Sequence, residues 1–454
     1  MTASKSDELP NPAAGPAEPR EKTLTVRGAA VLGIGSMIGA GIFALLGEAG
    51  AVAGAAVWIS FLIGGVVAGL LGYVCSKLGM RFPSSGGLIT YLIEGFGQGR
   101  LVGIACWLGY MAAIVIVTAM VAVSFGGYAT ALFVKEHAGG AWDNVFITAL
   151  IIVTTAINLG GAQLAARAQS VIVACVLVAF GVFIVVTIKH INTSLLDPSQ
   201  YPSVAKIVSS VALTFFAYLG FNVITFTAGD LRNPQRDLPR AMGSALGITT
   251  AVYVLIAIGV FGTLTTTEVI GYGETAIAEA ARPTLGDAGF TIMAIVALLS
   301  TASCTNATLY AAGNLTDSLA KVQLFPQFFG EQSRLGRHAG LLITAVLVLI
   351  VANLVDLSAI ASVGSAVSLM VFLLVGIAGW RRRADTHSSP VIVGAAIVVI
   401  AIVLGFFVVD TIQTAPDTFI AIVLLGLLAI VLDAIVRRSQ HQPPGAPELV
   451  APTS

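Results

Sequence analysis

Charge is scarce in this sequence. Acidic and basic residues together make up 10% of its 454 positions while 57% are apolar, against a charged share of about 25% in soluble domains. An ordinary water-soluble fold is therefore excluded, and a polytopic membrane protein is predicted. The 23 basic and 23 acidic residues cancel, so no basic field points to nucleic acid. All five histidines, His137, His190, His338, His387 and His441, fall in predicted loops or tails, and Glu48, Asp230, Asp410 and Asp433 stand at or near the ends of apolar runs. An ionisable group inside a span would be the default proton relay, and none stands at the centre of one. Without clustered His, Asp or Glu, acid-base or metal-assisted hydrolysis has no machinery, so no enzyme is predicted. A glycine loop ending in Gly-Lys-Ser/Thr is also missing, which excludes direct nucleotide hydrolysis. The four cysteines, Cys75, Cys106, Cys175 and Cys304, lie in apolar runs and read as small buried hydrophobes rather than disulfides or metal ligands. Residues 1–22 carry Pro, Ala and charge but no apolar segment, so no cleavable signal is expected. The tails 1–24 and 439–454 are expected to be disordered.

Apolar runs long enough to cross a hydrocarbon core of about 30 Å occur twelve times, near 27–48, 51–76, 100–133, 143–160, 167–189, 205–229, 240–263, 287–320, 339–355, 358–380, 390–410 and 417–436. The third and eighth exceed one crossing, so they tilt or extend beyond the lipid. Lysine and arginine set the orientation, because cytoplasmic loops hold their excess. With the N-terminus inside, 19 of them lie inside and only Lys135, Lys189, Lys206 and Arg282 outside. Both termini are thus expected in the cytoplasm, with the chain in the cell membrane. The run Arg381-Arg382-Arg383 reads as an anchor on the inner face.

Two spans are interrupted. Gly33-Ile34-Gly35-Ser36-Met37-Ile38-Gly39-Ala40-Gly41-Ile42-Phe43 places four glycines in an apolar run. Glycine costs about 1 kcal/mol in a helix interior relative to alanine and opens the backbone to close approach. Freed backbone groups are tolerated in a bilayer only where protein or a cavity covers them, so the stretch reads either as a broken helix facing a polar substrate or as a small-residue packing face. A second interruption, Phe215-Phe216-Ala217-Tyr218-Leu219-Gly220-Phe221-Asn222, lies in the sixth span. Spans one and six start on opposite sides of the membrane. Paired interruptions at corresponding places of two halves point to an inverted-repeat transporter with a midplane site. Half-helix N-termini then suit a carboxylate, and freed carbonyls an ammonium group or cation. Beyond span six, Asp230 to Arg240 is read as a connector at the inner mouth that could serve as a gate, with Asp237 as the start of the next helix.

These segments resemble the amino acid-polyamine-organocation transporters, in particular their bacterial and archaeal permeases and the cationic amino acid transporter-like branch. The match rests on Gly35 to Phe43, on Arg81-Phe82-Pro83-Ser84-Ser85-Gly86-Gly87, on Phe215 to Phe221 and on Asn233-Pro234-Gln235-Arg236-Asp237-Leu238-Pro239-Arg240-Ala241. It covers roughly residues 25 to 435. The resemblance implies an all-α membrane protein with twelve transmembrane helices: a five-plus-five inverted repeat (25–190 and 200–380) followed by two further helices (388–438). It implies a substrate α-carboxylate at the amides around Gly39, Ala40 and Gly41, and an α-ammonium at the carbonyls of Met37, Phe216, Ala217 and Leu219. Tyr110 and Phe216 are candidate aromatic lids, core packing being the competing reading for Tyr110. Asn222 stands where some members carry an acid.

The function implied is a secondary permease moving amino acids, neutral ones by the lack of a buried carboxylate, by alternating access in the lipid bilayer. Alternatives are a polyamine or cationic amino acid exchanger of the same superfamily, and a non-transporting receptor or accessory subunit. No cofactor is expected. Sodium coupling is one option, at the carbonyls of Gly35 and Ile38 and the hydroxyls of Ser300, Thr301 and Ser303, although such hydroxyls commonly bond back to their own helix. Many sodium-independent members carry a lysine in span five, and the matching position here is Val176.

Overall fold

The computed structural model describes residues 24–83, 86–135, 140–160, 165–330 and 338–441. Most of both tails expected to be disordered, together with Ser84, Ser85, Arg334 and Arg337, lies outside the described residues. Span one is split into α1 (Val26–Ala40) and α2 (Ile42–Ala53), and span two is α3 (Val57–Arg81). A short helix, α4 (Leu88–Phe96), precedes span three, which joins α5 (Arg100–Tyr110) to α6 (Val117–Ala129) through a π-helical turn over Met111–Ile116. Spans four and five are α7 (Ala141–Gly160) and α8 (Ala165–Ile188). Span six is split into α9 (Val204–Ala217) and α10 (Asn222–Phe226) around a tight turn at Leu219–Phe221. Span seven, α11 (Pro234–Phe261), leads into a connector that carries α12 (Thr266–Tyr272) and α13 (Ala276–Glu279). The chain closes with α14 (Arg282–Lys321), α15 (Ala339–Leu354), α16 (Leu357–Arg381), α17 (Pro390–Thr414) and α18 (Pro416–His441).

Ten of these stretches are long and apolar enough to cross a bilayer, and two shorter apolar helices, Val26–Gly39 and Ala339–Leu354, complete the set. One of the ten, Ile42–Arg81, holds a turn at Gly54 (φ 56°, ψ −145°). It therefore supplies the second half of span one and all of span two, and the twelve expected crossings are all present as helices. The extra length of span eight is taken up by a bend at Gly286 (φ 64°, ψ −160°), a conformation glycine adopts without a Cβ penalty. Among the described residues the one strand-like feature is an isolated bridge between Leu24 and Leu231.

Several details depart from expectation. Helix α11 starts at Pro234 rather than at Asp237, because a proline at the first helical position needs no amide partner and Asp237 instead reaches back to accept from the Asn233 amide (3.1 Å). Cys75, Cys106 and Cys304 are buried, but Cys175 is exposed on the outside of α8, where lipid replaces a protein neighbour. The arginines after span ten clamp α4: Arg382 binds the Glu94 carboxylate (3.0 Å) and carbonyl (2.8 Å), and Arg381 lies over the Phe96 ring.

The two interrupted spans run antiparallel and in contact, α2 against α9 and α1 against α10 and the turn before it. Helix-to-helix association in lipid depends on close packing and interhelical hydrogen bonds rather than on apolar burial, and both are visible. Span six is sewn to span two by Ser210 Oγ to Ser60 Oγ (2.5 Å), Thr214 Oγ1 to the Ser60 carbonyl (2.8 Å) and Tyr218 Oη to the Phe61 carbonyl (2.9 Å). Span eleven joins through Asp410, which accepts from Lys206 (2.6 Å) and Ser209 (2.9 Å).

Gly220 lies so close to span one that an added Cβ would stand 2.3 Å from the Met37 amide nitrogen and 2.5 Å from the Ser36 carbonyl carbon, whereas one added at Gly69 would meet nothing within 4 Å. Backbone cannot yield as a side-chain tip can. Gly220→Ala is expected to cost about 1–3 kcal/mol, the range for overpacking, and to lower the thermal midpoint in detergent, with Gly69→Ala unchanged; size-exclusion stability measurements on the two variants check this.

Candidate functional site

Helix α1 ends at Ala40 and α2 begins at Ile42, with Gly41 (φ −103°, ψ −77°) between them. No side chain caps α2, so its first amides, which have no partner within the helix, open onto the break. On the other span, α9 ends at Ala217 and the helix resumes at Asn222. The structure brings the two breaks together. A Cβ on Gly41 would lie 2.4 Å from the Ala217 carbonyl oxygen and 2.8 Å from that of Met37.

Between them sits a residue the sequence reading missed. Tyr253 of α11 is fully buried, and its hydroxyl reaches the Met37 carbonyl (2.6 Å) and the Ala217 carbonyl (3.2 Å). The Ile42 amide donates towards the same oxygen. One phenol thus touches the freed carbonyls of both broken spans and the first amide of α2. A tyrosine in an apolar helix carries no motif of its own; the available signal was that broken helices need a polar partner and that span seven offers few. Its ring packs edge-on to Phe61 (5.4 Å) and against Tyr218 (5.1 Å).

The other candidates fall in three places. Met37, Gly39, Gly41, Phe216, Ala217, Leu219 and Asn222 are all buried around the breaks, with Ala40 the last residue of α1. Gly39 faces span eight, 2.7 Å from Cys304 Cβ and 3.0 Å from the Ser300 carbonyl oxygen as measured from an added Cβ. Phe216 points at span ten: its ring tip and Ile116 Cγ2 both crowd the position a Cβ on Gly364 would take. Ile116, at the end of the π-helical turn, is therefore the span-three residue beside Phe216. Such turns widen a helix and recur at functional sites.

Tyr110 is placed elsewhere. Its hydroxyl donates to Thr344 Oγ1 (2.7 Å), which itself donates to the Gly340 carbonyl (2.7 Å), and its ring joins Trp107, Phe325 and Phe329. Tyr110 thus packs span three against span nine and the segment after α14, the arrangement that the competing core-packing reading expects.

The proposed cation set is also only partly assembled. Ile38 and Ser300 are buried on facing helices, but the Thr301 hydroxyl donates to the Ala297 carbonyl (2.7 Å) of its own helix. Ser303 donates to Gln169 Oε1 on α8. Gln169 in turn lies against span one, its Nε2 2.8 Å from an added Cβ on Gly35, beside Val173. Gln169 and Val173 are the span-five side chains that crowd Gly35, and the amide of Gln169 fills the gap between Gly35 and Ser303. Val176, buried on the same helix, is just under a turn beyond Val173 and about two turns beyond Gln169.

Both ends of this region are covered. Where α1 begins, Leu24 donates its amide to the Asp230 carbonyl (3.2 Å) and bridges Leu231, so the connector after span six is held by backbone pairing. At the opposite face the α12–α13 connector presses on α2, an added Cβ on Gly47 lying 2.8 Å from the Gly273 carbonyl oxygen.

Two broken helices meeting at a buried, charge-poor centre in an all-helical bundle of twelve spans define a membrane transporter. The family model for amino acid permeases matches residues 24–428, and the chain belongs to that family, within the amino acid-polyamine-organocation superfamily. It is 32% identical to the inner membrane transport protein YbaT of Escherichia coli over 83% of this chain and 87% of that protein. Similarity to the uncharacterized protein MJ0609 of Methanocaldococcus jannaschii is 34% over 79% and 82%. The serine/threonine exchanger SteT of Bacillus subtilis is 27% identical over 66% and 68%.

Tyr253→Phe removes the hydroxyl and leaves the Met37 and Ala217 carbonyls unpaired, at a cost of about 1–3 kcal/mol for a buried group that loses its partner. The variant is expected to reach the membrane, to melt lower than the parent and to lose most uptake in proteoliposomes; parent-like uptake with unchanged stability would remove Tyr253 from the site.

Proposed function

We propose that this permease is a secondary transporter of neutral amino acids, working by alternating access around the paired breaks of spans one and six. The observation that carries the substrate class is the charge around the breaks. Among the described residues the carboxylates buried as whole residues are Asp143 and Asp433, while Glu48, about two turns past Gly41 on α2, and Glu274 in the α12–α13 connector are partly covered. Asp433 is held by Arg437 (3.0 Å) on α18, and Asp143 stands at the start of α7. None of these carboxylates is at Met37, Gly41, Phe216 or Ala217, whose polar neighbours along the chain, Ser36, Thr214, Tyr218 and Asn222, are uncharged. A cationic side chain placed there would be an unpaired buried charge, which costs several kcal/mol. That argues against the cationic and polyamine alternatives. A receptor without transport would leave the paired breaks without a purpose.

In this reading the amides at the start of α2, around Ala40 and Gly41, take the α-carboxylate, aided by the partial positive charge of a helix N-terminus. The carbonyls of Met37, Ala217, Phe216 and Leu219 take the α-ammonium, and Phe216 closes over the side chain. The hydroxyl of Tyr253 occupies the same carbonyls and amide when no substrate does. Spans one to five (25–190) and six to ten (200–380) form the two inverted halves, with both termini in the cytoplasm by the arginine and lysine distribution. The Leu24–Leu231 bridge then closes the inner mouth. The exchanger named for serine and threonine supports a small neutral substrate here, since it is a relative that spans most of this chain.

Sodium fits the candidate set poorly. The Gln169 amide lies between Gly35 and Ser303, where a cation would need an oxygen cage, and Thr301 is turned back onto its own helix. No step of the cycle is assigned to sodium.

Three measurements in proteoliposomes test this reading. Alanine, serine, leucine or phenylalanine should outcompete arginine, lysine and amines lacking a carboxylate, and choline in place of sodium should leave uptake unchanged. Gly41→Val should abolish uptake while protein remains in the membrane, because its branches would meet the Ala217 oxygen and Tyr253. Preferred uptake of arginine or lysine would overturn the substrate class.

A further inference from the structure

The connector between spans seven and eight carries a carboxylate into the bundle. Glu274 sits in the short turn Gly273–Thr275 between α12 and α13. The residue keeps partial exposure, but its carboxylate is pressed onto span three: an added Cβ on Gly127 would overlap Glu274 Oε1, and its Cδ would be 2.7 Å away. Glycine at 127 therefore makes the seat in which the carboxylate rests.

The groups facing that seat come from every element around it. Glu48 of α2 is hydrogen-bonded to Ser358, and Glu48 and Asp143, the latter at the start of α7, are both close enough to act on Glu274 electrostatically. From α6 comes Tyr128, completely buried, whose hydroxyl makes no hydrogen bond to the protein and lies within electrostatic reach of Glu274 and Glu279. Glu279 of α13 is paired with Arg282 (2.6 Å), which also binds Asp287. On α12, Glu268 is turned away into a capping box with Thr265. Arg282 is thus the cation nearest in sequence, and it is already engaged by two acids. A carboxylate seated among carboxylates, beside a buried hydroxyl with no partner, is a place built to hold a proton.

We propose that Glu274 is a proton-binding site whose occupancy latches the α12–α13 connector onto spans one and three. This rests on the reading of the chain as an alternating-access carrier whose connector face is outside. Protonated, Glu274 can stay seated against Gly127 and hydrogen-bond to its neighbours. Ionised, it is repelled by Glu48 and Asp143 and gains more water away from the seat than in it, and the connector is driven off the bundle. The connector touches α2 at Gly47, beyond the break, and Tyr128 packs edge-on against Phe43 (5.7 Å), two residues after Gly41. The latch therefore bears directly on the second half of span one.

The direction of the effect follows from the carboxyl's own titration. Burial raises it from 4.5 to about 7, with the carboxylates of Asp143 and Glu48 adding to the rise and a backbone hydrogen bond opposing it. A group held above its ordinary value favours the packed arrangement fully below pH 4.5, and that preference is lost as pH rises through about 7. Sequence reading excluded a titratable relay because it looked at span centres, and this carboxylate enters from a connector.

The test is accessibility, measured without substrate. Ala278→Cys, on the buried face of the connector's own α13, is labelled in proteoliposomes with a charged, membrane-impermeant maleimide, its rate divided by that of the exposed Gly271→Cys to cancel the thiol's own pH dependence. Native cysteines are read separately by peptide mass. The ratio should rise about tenfold between pH 6 and pH 8, the change in ionised fraction of a group titrating near 7. Glu274→Gln should hold it low and flat, and Asp143→Asn should move the inflection to lower pH. A flat ratio in the parent, an inflection that survives in Glu274→Gln, or one that stays put or rises in Asp143→Asn overturns the latch. If Glu274→Gln does not fold, the parent and Asp143→Asn decide. Absence of uptake alongside a titrating ratio would count against the transport reading and leave the proton site standing.

Discussion

Breaking a helix inside hydrocarbon frees carbonyls and amides that must find partners within the protein, since each orphaned group costs several kcal/mol. The hydroxyl of Tyr253 meets that demand for both interrupted spans at once, reaching Met37 and Ala217 while the Ile42 amide approaches its oxygen. Because the partner comes from a third helix, the breaks can exist only where spans one, six and seven converge. The dense contact of α11 with α1 and α3, and the glycines that allow it, follow from that requirement. An amino acid carries the same two kinds of polar group, an acceptor for amides and a donor for carbonyls, which is why the proposed substrate suits these breaks.

Closure at the two faces is made in different chemical terms. At the face where the chain enters, backbone pairs with backbone at Leu24 and Leu231, a contact indifferent to pH. At the opposite face a connector lies on α2 and α6 with Glu274 beneath it. The bundle between them, sewn by Ser60, Ser210 and Thr214, holds span two and span six together.

The number of crossings and the positions of both interruptions were legible because hydropathy and glycine placement are local signals that lipid enforces residue by residue. That Met37, Gly41 and Ala217 stand at the breaks was legible for the same reason: the glycines at 39, 41 and 220 mark where the two helices are interrupted. Tyr253 and Gln169 were not, since their roles arise from which helices touch, and neither stands in a recognisable pattern. Tyr110 shows the converse. An aromatic at that depth in span three reads in sequence equally as a lid or as packing, and its bond to Thr344 and its ring contacts with Phe325 and Phe329 are visible only in the folded chain. Glu274 was passed over because connectors are usually exposed, and burial of this one depends on Gly127 from a distant part of the chain.

The approach of Gly220 to the Ser36–Met37 backbone carries a consequence for how the gene can change over time. The contact is between main chains, so it places no demand on the side chains at 36 and 37 and a strict one at 220. The seam itself therefore leaves positions 36 and 37 open to change, within the limits set by the burial of Met37, while its partner in span six must stay glycine. Innovation in what is carried and constancy in how the two halves meet are assigned to opposite sides of a single contact.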